Sequence, residues 1–369
     1  MGGDWFTWVY KALVLLVIAC PCALVISIPV TIVSGLAAAA RQGILIKGGV
    51  YLEEGRKLVW RALDKTGTIT QGKPVQTDFA VLNGANDGDV RSLAASLASR
   101  SDHPVSIALS KAAKEDGIAL RNVEGFEALP GRGTKGLIDG KLYHLGNHRL
   151  IHEQGRCSDE LEARLSALEE QGKTVILLAD EQGVLGLFAV ADTVKESSRE
   201  AIAELHALGV KTVMLTGDNA HTARAIAAQV GIDEALGDLL PEDKLKAIEG
   251  KIGKQGAVGM VGDGINDAPA LARADIGFAM GAAGTGTAIE TADVALMDDD
   301  LRKLPRFVRL SRKTHALLVQ NIVLALGIKA VFLVLTLTGA GTMWMAVFAD
   351  VGASLLVVAN GLRLVRFRG

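Results

Sequence analysis

The sequence predicts an α/β protein: a parallel, doubly wound sheet, an α+β segment inserted into it, and transmembrane helices attached. Three observations carry this reading. Apolar runs lie near residues 12–40 and, interrupted once by Asp350, near 330–362. Strand-like segments alternate with helical ones after residue 188, and several of those strands end in an acidic cluster. Such alternation gives parallel neighbours, and reactive groups in open sheets of this kind gather at the carboxyl ends of the strands.

The apolar runs come first in chain order. A bilayer core of ~30 Å needs ~20 apolar residues per helix. No charge occurs from Ala12 to Ala40 or from Ala330 to Ala349, and Val351–Leu362 continues the second run. The mostly apolar stretch Ala316–Ile328 precedes it. The expected helices are therefore near 11–35, 315–338 and 343–363, with Gly339-Ala340-Gly341 as a tight turn. A secretory signal would have a basic start and a shorter apolar core. Here the start is Met1-Gly2-Gly3-Asp4-Trp5 and the run is too long. Basic residues flank the runs at Arg41, Lys47, Arg56 and Lys57, at Arg302–Lys313, and at Arg363, Arg366 and Arg368, while the 339–342 turn has none. The positive-inside rule then puts residues 41–313 and the C-terminus in the cytoplasm, with the helices in a plasma or inner membrane.

Composition narrows the function classes. The 369 residues allow more than one core. A net charge of −2 leaves no electrostatic footprint for nucleic acid. Three cysteines cannot make a disulfide framework, and Cys20 and Cys22, one residue apart, suit a reduced compartment and a local chemical role.

In the soluble part, 58–63 reads as a buried strand ending at Asp64. Strands at 211–215, 257–261 and 275–280 are expected, the first two ending at Thr216-Gly217-Asp218-Asn219 and Gly262-Asp263-Gly264. Helical patterns fall at 195–207, 219–230, 241–252 and 265–273. Residues 75–187 interrupt the alternation with helices near 89–99, 104–116 and 158–170 and strands near 134–138, 141–145, 174–179 and 184–190.

The acidic clusters suggest phosphoryl chemistry. A carboxylate attacks phosphorus only when the target's negative charge is neutralised. Asp64, followed by the small Thr66-Gly67-Thr68, exposes a carboxylate beside backbone amides. Asp263 and Asp267, with Asn266 between them, offer the hard oxygens that Mg²⁺ prefers. Thr216 can donate a hydroxyl to a phosphoryl group and Lys244 a fixed positive charge. Asp, Asn and Gly are also ordinary turn residues. Four such clusters in order, each after a strand, favour the chemical reading.

Asp64-Lys65-Thr66-Gly67-Thr68, Thr216-Gly217-Asp218 and Gly262-Asp263-Gly264-Ile265-Asn266-Asp267 resemble the signature set of P-type ATPases, built on the haloacid dehalogenase fold. The likeness covers nearly the whole chain. It implies an aspartyl-phosphate at Asp64, with Lys65, Thr66, Thr68, Thr216, Asp218, Lys244 and Asn266 around it, and Mg²⁺ held by Asp64, Thr66, Asp263 and Asp267. Many phosphatases of the superfamily carry an acid two residues after the nucleophile. Here Thr66 stands there and cannot activate water, so the intermediate should persist. The implied organisation is 1–56 for the first membrane helix and stalk, 57–74 with 188–300 for phosphorylation, 75–187 for nucleotide, and 301–369 for a stalk and two membrane helices.

Within the inserted segment, Asp102-His103-Pro104 resembles the His-Pro pair of heavy-metal P-type ATPases, whose imidazole lies against adenine. Gly131 and Gly133 resemble the loop that lets backbone approach the phosphates. One departure is Ala98, where family members often have glutamate. His144, His148 and His152 fall four apart with Cys157 after them. On one helix they would share a face, but the reading adopted is a solvated surface.

Cys20-Pro21-Cys22 lies mid-span, where Pro21 should open the helix and aim two thiolates inward. Thiolates favour soft or borderline ions, and polar groups inside a membrane helix are functional by default. Lys329 and Asp350 stand alone in apolar runs; they can simply pair with each other. With Asp350-Val351-Gly352 they resemble the zinc-, cadmium- and lead-exporting branch, Asp350 as a ligand and Lys329 as a built-in counter-ion. The alternatives are a copper exporter, whose Asn-Tyr and Met-Ser-Ser patterns do not occur here, and a membrane-tethered phosphatase. No Thr-Gly-Glu loop occurs, so the chain is expected to be the C-terminal half of a pump. It should need an actuator domain, from the same gene or a second chain, to complete a cycle. Expected partners are ATP, a heavy-metal ion and membrane lipid.

Overall fold

Every residue of the strand Leu58–Asp64 except Val59 is buried, as expected for the middle of a sheet covered on both faces. The computed structural model describes residues 5–252, 256–263, 267–281 and 286–367. Contacts divide the chain into two units, one of Val59–Ala292 with Asp299–Arg302, the other of Met1–Leu58, Asp293–Asp298 and Lys303–Gly369.

In the first unit the sheet strands run in the order Ile276–Met280, Ala257–Gly262, Leu58–Asp64, Lys211–Leu215, Glu234–Leu236. The pairings of Leu58–Asp64 with Lys211–Leu215, Lys211–Leu215 with Glu234–Leu236, and Ala257–Gly262 with Ile276–Met280 are parallel. Helices Glu196–Ala207, Ala220–Val230, Pro241–Lys251 and Ala268–Arg273 alternate with them. The alternation expected from the sequence is therefore present; the short strand Glu234–Leu236 and the short helix Gly286–Thr291 were not foreseen. The strand's three residues are at best half-buried, so it carries no apolar run. The core between sheet and helices includes Trp60, Ala62, Val213, Leu215, Ile248 and Met260, each large aliphatic group contributing ~1.5–3 kcal/mol by leaving water. Arg61, which alternates with Trp60 and Ala62 and so faces the other side of the sheet, is buried with its guanidinium 4.3 Å from the centre of the Phe278 ring; burial lowers its pKa to about 9.

The inserted segment is a wholly antiparallel sheet in the order Val75–Val81, Gly183–Ala191, Thr174–Asp180, Lys141–Gly146, Gly133–Ile138, Glu124–Leu129. Helices Asp87–Ala98 and Pro104–Glu115 pack on it through Leu93, Leu97, Ala108 and Leu109. Side-chain caps from Asn86 and Ser158 set the starts of Asp87–Ala98 and Asp159–Glu169. The two outer strands escaped the sequence reading because Glu124–Leu129 has no buried residue and Val75–Val81 is only half-buried.

Among the described residues of the second unit, three helices are long and apolar enough to cross a membrane: Trp5–Arg41, Lys303–Leu337 and Met343–Arg366. Leu16, Phe348 and Trp344 are 69%, 78% and 83% exposed, as lipid-facing side chains are. The first span is longer than expected and is broken at Cys20-Pro21 into Trp5–Ala19 and Cys22–Arg41. Lys303–Leu337 extends roughly 52 Å at 1.5 Å per residue; that exceeds a bilayer core, and its basic first third supplies the excess. Ile44–Ile46 pairs antiparallel with Val294–Leu296.

A polar knot inside this unit was hidden by its apolar neighbours. Asn321, fully buried, donates to Thr31 Oγ1 and to the Val357 carbonyl at 3.2 Å each, and accepts from Asn360 Nδ2 at 2.8 Å. It thereby ties all three spans. Replacing Asn321 by Leu is expected to cost ~1–2 kcal/mol, read as a lower unfolding midpoint in micelles. An unchanged midpoint would mean that the three helices hold together without it.

Candidate functional site

Asp64 is the last residue of its strand, and its register partner is Leu215. Both chains turn at the same level, so Thr216 arrives beside the Asp64-Lys65 bend. Gly67 then takes φ +73°, and a Cβ there would lie 1.8 Å from Asp263 Oδ2. Only glycine allows the Asp64 loop to approach Asp263 this closely.

The groups that surround Asp64 come from four separate elements. Lys244, from helix Pro241–Lys251, places Nζ 2.5 Å from Asp64 Oδ1 and 2.8 Å from Asp267 Oδ1. One ammonium thus joins two buried carboxylates. Burial alone would lower the Lys244 pKa, but Asp64 and Asp267 more than reverse this and hold it charged. Burial, then Asp267, push the Asp64 carboxyl above the ordinary range, and Lys244 pulls it part of the way back. Asp263 is raised to about 6 by burial and by Asp267. Lys65 pairs with Asp218, whose backbone N–H donates to Thr216 Oγ1 at 3.1 Å. Asn266 lies outside the described residues.

Carboxylate oxygens of Asp64, Asp263 and Asp267 fall within 4.8 Å of one another, and buried Thr68 Oγ1 has no hydrogen-bond partner among the described residues. Three crowded hard-oxygen donors, two of them (Asp64 and Asp263) with raised acid pKa values, fit a small divalent cation such as Mg²⁺. Thr66, which follows with extended backbone (φ −73°, ψ 130°), has no acid to offer water.

Two groups that the sequence reading missed hold this loop. Lys195 donates to the Gly67 carbonyl at 2.6 Å. Asp192 accepts from Thr70 Oγ1 at 2.6 Å and from the amides of Gly72 and Lys73 at 3.0 and 3.2 Å. Neither belongs to a motif; a charged pair just after the strand Gly183–Ala191 was the only available signal.

On the inserted segment, His103 caps helix Pro104–Glu115, its Nδ1 accepting from Val105 N at 3.4 Å. The ring keeps contact with solvent, yet the atoms gathered round it lower its pKa, with Asp218 opposing and Lys65 adding to that shift. Gly133 has φ +147°, and a Cβ there would lie 2.3 Å from the Leu145 carbonyl oxygen; Gly131 has φ +68°. Ala98 is fully buried in the apolar core, so that position presents no polar group to a ligand.

In the membrane unit, Lys329 Nζ donates to Asp350 Oδ1 at 3.1 Å, to the Ile18 carbonyl at 3.0 Å and to the Cys20 carbonyl. The carbonyls are those left without helical partners by the break at Pro21. Lys329, Asp350 and the Cys-Pro-Cys turn are thus one cluster. One expectation is corrected: Cys20 and Cys22 are joined as a disulfide, their Cα atoms 5.6 Å apart, and are not two separate thiolates. Proline at the break places both sulfurs together, so only the reduced pair can ligate a metal.

The haloacid dehalogenase-like hydrolase family model matches residues 62–275, and the chain belongs to that family. Within it, the chain is 50% identical over its whole length to a probable cadmium-transporting ATPase of Staphylococcus aureus (strain MRSA252), covering 51% of that protein. It is 46% identical, again over its whole length, to a zinc/cadmium/lead-transporting P-type ATPase of Escherichia coli (strain K12), covering 49% of it. The chain therefore spans about half the length of the curated relatives it matches. A crystal structure of a zinc-transporting PIB-type ATPase in an E2.Pi state superposes with a TM-score of 0.76 at 45% identity, covering 99% of this chain and 59% of that one. The catalytic domain of a CPx-ATPase matches 73% of this chain and 96% of its own, with a TM-score of 0.59 and 27% identity.

Two outcomes follow from the acidic cluster. Lys244→Met removes the one cation between Asp64 and Asp267; the buried carboxylates it leaves should cost ~3–5 kcal/mol in denaturant unfolding. The second concerns pH. The Asp263 pKa is raised on folding from its ordinary 3.8 to about 6, so between those values the folded chain holds the extra proton. Its share of stability is greatest at low pH and is lost as pH rises through about 6. In the Mg²⁺-free protein Asp263→Asn should remove that slope, measured as Tm against pH. An unaltered slope would show that Asp263 is not desolvated.

Proposed function

We propose that the chain is the catalytic and part of the translocating portion of an ATP-driven exporter of Zn²⁺, Cd²⁺ or Pb²⁺, working through an aspartyl-phosphate at Asp64. The observation that carries this is the convergence of Lys244, Asp263 and Asp267 on Asp64, whose loop has Thr66 and not an acid two residues on. Asp64 attacks the γ-phosphorus of ATP, forming the carboxyl–phosphate bond while the bond to the β–γ bridging oxygen breaks and ADP leaves with the electron pair. Lys244 and the Thr216 hydroxyl stabilise the charge on the transferring group. Asp64, Asp263 and Asp267, with Thr66, would hold Mg²⁺, which supplies further positive charge to the phosphate oxygens.

His103 and the Gly131–Gly133 loop hold the nucleotide on the inserted segment, and Lys65 and Thr68 with Asp218 fix the acceptor loop. With Thr66 in place of an acid, the acyl phosphate outlives the nucleotide and its energy remains for the membrane site. There reduced Cys20 and Cys22 and the Asp350 carboxylate ligate the ion, a mixed soft and hard set that suits a divalent ion over Cu⁺. Lys329 takes the ion's place on Asp350 when it leaves. The relatives' names support the same ion class. The soluble part faces the cytoplasm by the distribution of basic residues, and an actuator domain in the whole protein or a second chain completes dephosphorylation.

Acid-quenched labelling with γ-labelled ATP tests this. A hydroxylamine-sensitive label on the wild-type chain, lost in Asp64→Asn and responsive to Zn²⁺ or Cd²⁺, is the expected result. Label that responds to Cu⁺ alone would overturn the ion assignment, and label retained in Asp64→Asn the nucleophile.

A further inference from the structure

The inserted segment carries a second cluster of metal-type donors, away from the acidic site. His148 and His152 stand four apart on helix His148–Glu153, which places both rings on one face; their centroids are 6.0 Å apart, edge to face. His144, which shares the spacing in the sequence, lies instead on strand Lys141–Gly146. Its place is taken by Glu162 from helix Asp159–Glu169, whose Oε1 is 3.8 Å from His148 Nε2 and 3.4 Å from His152 Nδ1. Half-buried Cys157 comes from the loop between the two helices. One ligand atom from each of His148, His152, Cys157 and Glu162 lies within 4.8 Å of the others. The stretch lies at the solvated surface, as the sequence reading has it, and its donors converge there.

Two further facts point to a ligand. His148 Nε2 is shut off from water and has no hydrogen-bond partner among the described residues, a condition that ordinarily costs ~1–3 kcal/mol. The set also has the composition of a tetrahedral site: two imidazoles, a thiolate and a carboxylate at bonds of ~2.0–2.3 Å need donors roughly 3.5 Å apart. The donor atoms, all within 4.8 Å of one another, are thus roughly 1.3 Å or less from that spacing.

The helix that carries the imidazoles is hooked to the glycine loop. Asn147 caps it, accepting from Leu150 N, and donates Nδ2 to the Gly131 carbonyl at 3.0 Å and its amide to the Arg132 carbonyl at 2.9 Å. Arg132 in turn forms a two-pronged pair with Glu153 at the helix end, 2.8 and 3.1 Å. Both ends of this short helix thus grip the Gly131–Gly133 turn.

We infer that His148, His152, Cys157 and Glu162 form a binding site for one borderline divalent cation of the Zn²⁺ or Cd²⁺ class, and that its occupation stiffens the Gly131–Gly133 loop. Hard ions such as Mg²⁺ are disfavoured by three nitrogen and sulfur donors. The coupling part rests on the assignment of that loop to nucleotide; the site itself does not.

The test uses the full chain with Cys20→Ser and Cys22→Ser, which leaves Cys157 as the one thiol of the three cysteines. After desalting, one equivalent of Cd²⁺ with a thiolate-to-metal charge-transfer band is expected. His148→Ala with His152→Ala should weaken binding more than ~100-fold, since loss of even outer-sphere partners costs ~10–100-fold. Glu162→Gln, a conservative change at a half-buried position, should weaken it with an unchanged circular dichroism spectrum. No retained Cd²⁺, or an undiminished band and affinity in the double histidine variant, overturns the site. With excess Mg²⁺, Cd²⁺ loading should tighten binding of a non-hydrolysed ATP analogue about 5-fold. An unchanged affinity in the loaded chain overturns the coupling, and failure of the analogue to bind at all overturns the nucleotide assignment while leaving the site intact.

Discussion

The geometry around Asp64 depends on one ammonium group. Without Lys244, Asp64 and Asp267 would be two carboxylates facing each other in a buried place, and neither could ionise there at low cost. With Lys244 between them at 2.5 and 2.8 Å, the two carboxylates are held close together, as the proposed nucleophile and cation ligand need to be. The helix Pro241–Lys251 must therefore bring Lys244 to the end of the strand Leu58–Asp64. The approach of Gly67 to Asp263 closes the same cluster from the other side.

A similar solution recurs in the membrane unit. Lys329 satisfies a carboxylate and two carbonyls that Pro21 has released from the helix. In each place a lysine supplies the positive charge that a bound cation would otherwise bring. The two sites differ in what else they offer. Around Asp64 the remaining donors are oxygen only; beside Lys329 there are two sulfurs.

Much of this was legible in the sequence for definite reasons. The strands ending at Asp64, Leu215 and Gly262 are buried on both faces, so apart from Arg61 and Lys211-Thr212 they read as apolar runs that stop at a polar motif. The membrane spans read from length and the lack of charge. Other features were not legible, because they depend on a partner far along the chain. Asn321 looks like an interruption of an apolar stretch until Thr31, Val357 and Asn360 surround it. Lys195 and Asp192 carry no motif and matter only because the Asp64 loop returns to them. The disulfide between Cys20 and Cys22 was likewise not readable from the spacing alone.

The histidines of the inserted segment show the same limit most sharply. Spacing of four proposed one helical face with His144, His148 and His152, but a chain turn at Gly146-Asn147 divides them between strand and helix. What the spacing preserved was the pair His148 and His152; what it concealed was Glu162, ten residues past His152, brought in by helix Asp159–Glu169. A periodic pattern is reliable only inside one element. Where an element boundary falls within the pattern, tertiary packing chooses the remaining members, and here it substitutes a carboxylate for an imidazole. That exchange turns a neutral surface row into a set with two anionic donors once Cys157 is ionised, enough to balance the charge of a divalent cation.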